Sequence, residues 1–222
     1  MYFFLIILLP LSFIAYCFFT KDKQIVPVSL AGFFTAVVVC LIKVIFTYAH
    51  RIVPYSIADN FLFYFIRQTF LPVVLLYGIF IAISRDSIEY KIKSYFPLMI
   101  SFFMIYMPFV IIAPAEPTVP AYQLFVKPLM ILAMIVMQSL CLKTGFNFIK
   151  NKKIFAFAIS CAIFILYLVL PPLLESLYLV GTNFVLVCII SAIYIFVPLA
   201  YVILKFVNEN FLNNKLIFIS KF

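Results

Sequence analysis

Charged residues are scarce in this chain. Only 10% of its 222 residues are Asp, Glu, Lys or Arg, whereas 68% are hydrophobic. A soluble domain has roughly a quarter charged and about half apolar residues, so this chain has too few charges to cover a surface in water. The composition predicts a protein whose solvent is lipid. The net charge of +9 does not indicate nucleic acid binding, because the basic residues lie mostly in short segments between apolar runs.

Histidine and glycine are also sparse, and each scarcity excludes a kind of site. The single histidine, His50, rules out a multi-histidine zinc site. The four glycines are isolated, so there is no phosphate-binding loop and no glycine-flanked nucleophile turn. The five cysteines lie inside apolar runs without Cys-x-x-Cys spacing, which is typical of small buried hydrophobes rather than a disulfide framework. We expect no metal and no cofactor.

Acidic residues are few, and all seven fall in predicted loops, at helix ends or in the C-terminal tail. No carboxylate is expected deep in the membrane, where a proton relay or an aspartyl dyad would require one. A Ser–Lys dyad stays open, since Ser29 or Ser101 could approach Lys43 in space. Serines in membrane helices are more commonly packing or hydrogen-bonding residues, so the chain leans against being an enzyme.

Long apolar runs dominate what remains. A bilayer core about 30 Å thick needs ~20 apolar residues in a helix, and the runs are continuous rather than alternating, which excludes strands. The prediction is an all-α, polytopic transmembrane bundle of about seven spans, forming one domain over residues 1–204. The predicted helices cover residues 2–19, 25–49, 61–84, 95–113, 121–142, 154–170 and 179–204. Residues 205–222 are predicted to be a cytoplasmic amphipathic tail against anionic headgroups, or a frayed end.

Basic residues alternate between the predicted connections, and this alternation indicates the orientation. The first, third and fifth connections and the tail hold nearly all the connecting Lys and Arg residues, whereas the second, fourth and sixth hold only Arg51. By the positive-inside rule the N-terminus faces outward and the C-terminus lies in the cytoplasm. Many Phe and Ile residues and no Trp favour an AT-rich bacterial genome, and hence a bacterial cytoplasmic membrane.

Three basic residues interrupt the apolar runs: Lys43, Arg67 and Lys127. Each is expected about six residues from the outer end of its helix, a depth of roughly 9 Å at ~1.5 Å per residue. His50 and Arg51 lie just above them in the predicted topology. A basic residue at the membrane midplane costs ~2.5–3.5 kcal/mol on insertion scales, so these side chains need a route to water or a partner.

Two interpretations of the basic residues remain open. In the first, each long side chain extends to the outer headgroups or forms a structural ion pair. In the second, they line an outward-facing pocket that binds a phosphate, a carboxylate or a lipid headgroup. The residues of this candidate site are Lys43, Arg67, Lys127, Arg51 and His50. Convergence of their side chains on one cavity would favour the second interpretation.

Pro10, Tyr16, Lys21-Asp22, Pro27 and Phe33-Phe34 follow one another through the first two predicted helices. This order resembles the opening of PrsW-type intramembrane peptidases, and residues 61–71 are similar to the helix that carries their catalytic Glu-Glu-x-x-Lys. At those catalytic positions this chain has Pro72-Val73-Val74-Leu75-Leu76, and the family's later Glu and His also have no counterpart. The resemblance, over residues 10–76, implies the family's fold and an inactive relative.

Two classes of function follow. The first is a non-catalytic integral membrane protein that binds a partner or client, including a degenerate peptidase relative that still holds a transmembrane client. The second is a transporter subunit or lipid-handling protein that binds an anionic ligand in the basic pocket. An active intramembrane peptidase would need a nucleophile that the sequence does not show. The expected partners are membrane lipids and another membrane protein, and not nucleic acid.

Overall fold

The computed structural model describes residues 2–20, 25–47, 56–83, 88–112, 121–181 and 184–219, and nearly all of these are helical. The α-helices are α1 (Tyr2–Thr20), α2 (Ile25–Thr47), α3 (Ile57–Phe63), α4 (Leu71–Ile83), α5 (Ile88–Ile112), α6 (Lys127–Lys150), α7 (Ile154–Leu179) and α8 (Phe184–Ile219). Two π-helical segments also occur: π1 (Tyr64–Phe70) joins α3 to α4, and π2 (Tyr122–Val126) leads into α6. The prediction of an all-α fold is confirmed.

Six helical stretches in this part of the chain are long and apolar enough to cross a membrane. They are Val26–Ile45, Ile57–Ala82, Tyr90–Ile111, Tyr122–Lys150, Ile154–Leu179 and Phe184–Leu204. A shorter apolar helix, Ile6–Phe18, lies within α1. These helices match the architecture of a polytopic integral membrane protein, as the composition predicts.

Helix α5 lies at the centre of the bundle. It packs against α1, α2, α4 and α6, while α6 also packs against α7 and α8. Two thirds of the α5 span (67%) is buried within the chain, compared with 17% of the α7 span. The outer faces of α7 and α8 are therefore apolar and uncovered, as in helices whose surroundings are lipid tails or other membrane helices.

Helices α2 and α5 approach most tightly at Gly32. A Cβ atom placed on Gly32 would overlap the Ser101 Oγ and lie 2.5 Å from the Leu98 carbonyl oxygen. The Ser101 hydroxyl donates to the carbonyls of Pro97 (2.7 Å) and Leu98 (3.0 Å), and it is buried. Small residues allow membrane helices to approach this closely. Ser101 thus has the contacts of a packing residue rather than those of a nucleophile.

Tyrosine hydroxyls satisfy backbone carbonyls that prolines leave free in α7 and α8. A proline inside a helix has no N–H to donate to the carbonyl four residues earlier. Pro171 thus frees the Tyr167 carbonyl, and the Tyr194 hydroxyl donates to that oxygen over 2.7 Å. Pro198 frees the Tyr194 carbonyl, and the Tyr167 hydroxyl lies 3.4 Å from it. We call these four residues, whose two rings stack at 4.4 Å, the tyrosine–proline brace.

A related contact joins α1 to α5. Pro97 frees the Lys93 carbonyl, and the Tyr16 hydroxyl donates to it over 3.4 Å. The Tyr16 ring also packs on Phe96, with the ring centroids 4.6 Å apart. An unsatisfied carbonyl in a membrane helix costs several kcal/mol, and three tyrosine hydroxyls in this bundle each lie against a carbonyl that a proline frees.

Several segments predicted as connections are helical. Helix α5 begins at Ile88, α6 continues past Lys143 to Lys150, and α7 continues through Pro171 and Pro172 to Leu179. The backbone of α8 runs on to Ile219, over residues that were predicted as a separate tail. The prediction that Glu175 lies in a loop is wrong, because the prolines before it do not end α7.

Candidate functional site: a buried ion pair beside two π-helical segments

A buried ion pair joins α6 to α7. Lys127 Nζ lies 2.6 Å from Glu175 Oε1, and the two side chains are 13% and 4% exposed. Gln123 Nε2 donates to the same carboxylate oxygen over 3.0 Å. We call Lys127, Glu175 and Gln123 the ion-pair cluster. Glu175 is the one buried carboxylate among the side chains that the structure describes.

Aromatic residues surround the ion-pair cluster. The Lys127 ammonium lies over the Tyr64 ring, 5.6 Å from its centroid, which is within cation–π range. One helical turn after Glu175, the Tyr178 ring stacks on Tyr122 with a centroid distance of 4.6 Å. The Tyr122 hydroxyl lies 3.3 Å from the Ser191 Oγ of α8. The charges are thus enclosed by rings and hydrogen-bonding groups.

The π-helical segments position the donors of the cluster. Gln123 lies in π2, and Lys127 is the first residue of α6. Side chains four residues apart share a helix face, and both of these donate to Glu175. Tyr64 is the first residue of π1, which packs against α7. Single π-helical turns are rare and occur frequently at functional sites, so their presence on two sides of one ion pair marks this region as the candidate site.

The electrostatics of the cluster favour the pair over either charge alone. Removing one partner of a buried pair leaves an uncompensated charge and typically costs ~3–5 kcal/mol. Lys127 therefore has its counterion in Glu175, and an anionic ligand at Lys127 would have to compete with that carboxylate. The cluster can hold α6 and α7 together. A charged ligand can also compete with one member of the pair for the other.

Two residues of the predicted basic pocket, Lys43 and Lys127, have side chains that the structure describes. The Lys43 ammonium lies over the ring of Tyr106 on α5, 4.9 Å from its centroid, whereas Lys127 contacts Tyr64 and Glu175. The backbone of Arg67 lies in π1, but its side chain is outside the described part of the chain. His50 and Arg51 are also outside the described residues. The convergence of all five on one cavity stays a prediction.

Sequence reasoning missed Glu175, Gln123 and Tyr64. Two adjacent prolines were interpreted as a break before Glu175, although an apolar run continues on both sides of it. The signal that could have located Glu175 is Lys127 itself. A lysine in an apolar run needs a carboxylate or a polar neighbour, and Glu175, between Leu174 and Ser176, is an acidic residue with apolar residues on both sides of it.

A second buried polar cluster lies in the core between α4, α5 and α6. The hydroxyls of Tyr77 and Tyr95 are 2.8 Å apart, and Tyr95 donates to Gln138 Oε1 over 2.8 Å. Tyr95 and Gln138 are fully buried, and the rings of Phe80 and Phe164 pack around Tyr95. Within the described chain, Gln138 Nε2 has no hydrogen-bond partner.

The described residues also bear on metal binding. No set of three or more His, Cys, Asp or Glu side chains there is arranged to hold a metal ion. Comparison with protein-family models, curated proteins and solved structures finds no match. The resemblance to PrsW-type peptidases stays a prediction.

Proposed function

We propose that this chain is a non-catalytic integral membrane protein that binds a transmembrane partner or client. The observation that carries the proposal is the ion-pair cluster. Its carboxylate, Glu175, accepts from Lys127 and Gln123 and is therefore engaged within the bundle. A carboxylate held in this way stabilises two helices rather than activating water or a substrate.

The outer face of α7 is the surface that we assign to the partner. Helix α7 presents its polar residues, Glu175 and Ser160, to the bundle, while Ile159, Ile165 and Leu166 are 46–58% exposed. Packing of a transmembrane segment against such a face is driven by van der Waals contact.

In the proposed topology the chain crosses a bacterial cytoplasmic membrane seven times, with the N-terminus outside and the C-terminus inside, as the alternation of basic residues supports.

Site-specific photo-crosslinking in cells tests this assignment. A photoreactive phenylalanine analogue at Ile159 or Ile165 should give a discrete protein adduct, which mass spectrometry then identifies. Ile45 of α2, which is 71% exposed, is the matched control on another lipid-facing helix. Lipid adducts alone from α7, or the same protein adducts from Ile45, would contradict a partner surface on α7.

The second candidate is a transporter subunit or lipid-handling protein that binds an anionic ligand. The observation that favours it is that Arg67 belongs to π1, the segment whose Tyr64 contacts Lys127. Two residues of the predicted basic pocket thus come from elements that meet at the ion-pair cluster.

Native mass spectrometry of gently purified protein distinguishes the two candidates. An anionic metabolite or phospholipid that is lost in a Lys43→Ala, Arg67→Ala, Lys127→Ala triple variant would support the second candidate. Glu175→Gln should then retain more of that anion, because Lys127 loses its internal counterion. Identical spectra from all three proteins would contradict anion binding and leave the partner-binding proposal.

A further inference from the structure

The turn between α6 and α7 carries a concentrated positive charge. Lys150 ends α6, Lys152 and Lys153 lie in the turn, and Lys143 lies seven residues before Lys150 on α6; all four are exposed. No Asp or Glu occurs between residues 143 and 159, and none of these lysines forms an ion pair with a side chain that the structure describes. The end of α6 and the turn therefore present lysine ammonium groups that have no counterion among the described side chains.

Large apolar side chains lie directly beside these lysines. Ile154 and Phe155 are both 80% exposed, and Ile149 is 55% exposed. In bulk water this exposure would be unfavourable, but it is typical of a segment at the membrane interface. There the apolar side chains contact acyl chains, while the lysines extend their ammonium groups to the level of the headgroups.

The backbone of the turn is ordered and holds a lysine where glycine is preferred. The Lys153 N–H donates to the Phe148 carbonyl over 2.8 Å, and the Lys152 N–H donates to the Ile149 carbonyl over 3.0 Å. This pair of bonds is the Schellman arrangement that ends a helix on a left-handed residue, usually glycine. Lys152 has φ 56°, which is unfavourable for a residue with a Cβ atom. Lys152 therefore has a backbone conformation that is unfavourable for any residue with a side chain. Local strain of this kind is found at functional sites.

The two helices next to the turn are fixed to each other. The Ser160 hydroxyl of α7 donates to the Cys141 carbonyl of α6 over 2.9 Å. A Cβ atom on Gly145 would lie in van der Waals contact with the Ser160 Oγ, at 3.4 Å, so the two helices are close here. The lysines thus extend from the ends of two helices that are packed and hydrogen-bonded to each other.

We propose that the α6–α7 turn binds the headgroups of anionic phospholipids through Lys150, Lys152 and Lys153. The charges of the turn and of the phosphate groups are complementary, and lysine is a common phosphate ligand. The attraction of one basic residue to an anionic membrane surface corresponds to a change in affinity of about fivefold. This lipid site requires only that the chain lies in a membrane, so it does not depend on partner binding.

Titration of the full-length protein in nonionic detergent tests the proposal. The probes are dioctanoylphosphatidylglycerol, dioctanoylphosphatidylcholine and inorganic phosphate, at constant ionic strength, with thermophoresis as the readout. We expect the phosphatidylglycerol to bind more tightly than the other two. Lys152→Gly should weaken that binding by about fivefold while raising the unfolding temperature, because glycine adopts the left-handed conformation without strain. A residue with only a structural role would not show these opposite changes.

Lys93→Gln is the matched control, because it removes one exposed charge from α5 at a distance from the turn in sequence. It should keep the wild-type affinity for phosphatidylglycerol. Three results would each overturn the lipid site: unchanged affinity in Lys152→Gly, an equal loss in Lys93→Gln, or inorganic phosphate that binds as tightly as phosphatidylglycerol. The last result would identify a soluble anion as the ligand.

Discussion

Gln138 is fully buried in the bundle, and only one end of its carboxamide is hydrogen-bonded to a described residue. Its Oε1 accepts from the Tyr95 hydroxyl, which also contacts Tyr77, but its Nε2 has no partner among the described residues. A buried polar group without a partner costs ~1–3 kcal/mol. The three residues therefore form a network in which the hydroxyl of Tyr95 is the connecting group.

The importance of that hydroxyl is directly testable. Tyr95→Phe leaves both the Gln138 amide and the Tyr77 hydroxyl without their partner, so we expect the free energy of unfolding to fall by ~1–3 kcal/mol. Adding Gln138→Met removes the stranded amide and should recover much of the loss. Thermal unfolding in detergent measures both variants. If the double variant were as unstable as the two single losses added together, the network would be disproved.

A second residue-scale prediction concerns the ion-pair cluster. Glu175→Leu removes the carboxylate that pairs with the largely buried Lys127 ammonium, so we expect a loss of up to ~3–5 kcal/mol in unfolding free energy. The double variant Lys127→Met, Glu175→Leu removes both charges and should lie close to wild type, since apolar replacement of a whole buried pair is often neutral. The same unfolding measurement applies. Equal stability of the single and double variants would show that the pair does not hold α6 to α7.

At the scale of helices, the bundle depends on contacts that one helix makes with the backbone of another. The tyrosine–proline brace satisfies the carbonyls of Tyr167 and Tyr194 across α7 and α8. At Gly32, the backbone of α2 approaches the Leu98 carbonyl of α5. Both contacts join two different helices, and both involve a residue type that is otherwise unfavourable in a helix interior.

The brace predicts a coupling between Tyr194 and Pro171. Tyr194→Phe leaves the Tyr167 carbonyl unsatisfied and should lower the unfolding free energy by ~1–3 kcal/mol. In a Pro171→Ala background the alanine N–H donates to that carbonyl, so the same substitution should cost less. A double-mutant cycle measures the coupling, which we expect to reach ~1 kcal/mol. Additive effects would mean that Tyr194 does not substitute for the missing N–H.

Gly32 and Gly78 form a matched pair for testing helix approach. Gly32→Ala forces a Cβ atom against the Leu98 carbonyl oxygen, and such overpacking costs ~1–3 kcal/mol. Gly78→Ala meets nothing within 4 Å, and alanine favours helix by up to ~1 kcal/mol, so this variant should be neutral or more stable. The unfolding temperatures of the two variants in detergent show whether the close approach at Gly32 excludes a larger side chain. If both variants were equally destabilised, the close approach at Gly32 would not be the cause.

At the scale of the whole molecule, the number of crossings decides the sidedness of the ends. Among the described residues, six stretches are long and apolar enough to span a membrane, and the apolar part of α1, Ile6–Phe18, is shorter. If α1 also crosses, the two termini lie on opposite sides; if it does not, they lie on the same side.

The proposed topology makes α1 a full span. An epitope tag at the N-terminus should react with antibody on intact cells, whereas green fluorescent protein fused to the C-terminus should fluoresce in the cytoplasm. A tag inserted after Asn151, in the α6–α7 turn, should be accessible only after permeabilisation, because the basic residues there are expected inside. An N-terminal tag that also needs permeabilisation would indicate six spans.

Much of the fold could be predicted from the sequence, but little of the candidate site. The apolar runs located the helices, although the ends shifted where Lys143 and Glu175 proved to be helical. Lys127 was recognised as a residue that needs a partner, but its counterion lies 48 residues away. No local pattern relates two positions at that distance. The π-helical turn that brings Gln123 to the same carboxylate also has no simple signature in the sequence.

The composition and the continuous apolar runs of the sequence determined that this chain is helical and suited to lipid. The free energy of transferring apolar residues from water is close to the sum of the contributions of the single residues. A backbone in lipid must also form its hydrogen bonds within helices. Only the tertiary structure decided whether Pro171 ends α7 and which group neutralises Lys127. A freed carbonyl or a buried charge is tolerated when another helix supplies the partner, as Tyr194 and Glu175 do. Whether such a partner is within reach depends on how the helices pack.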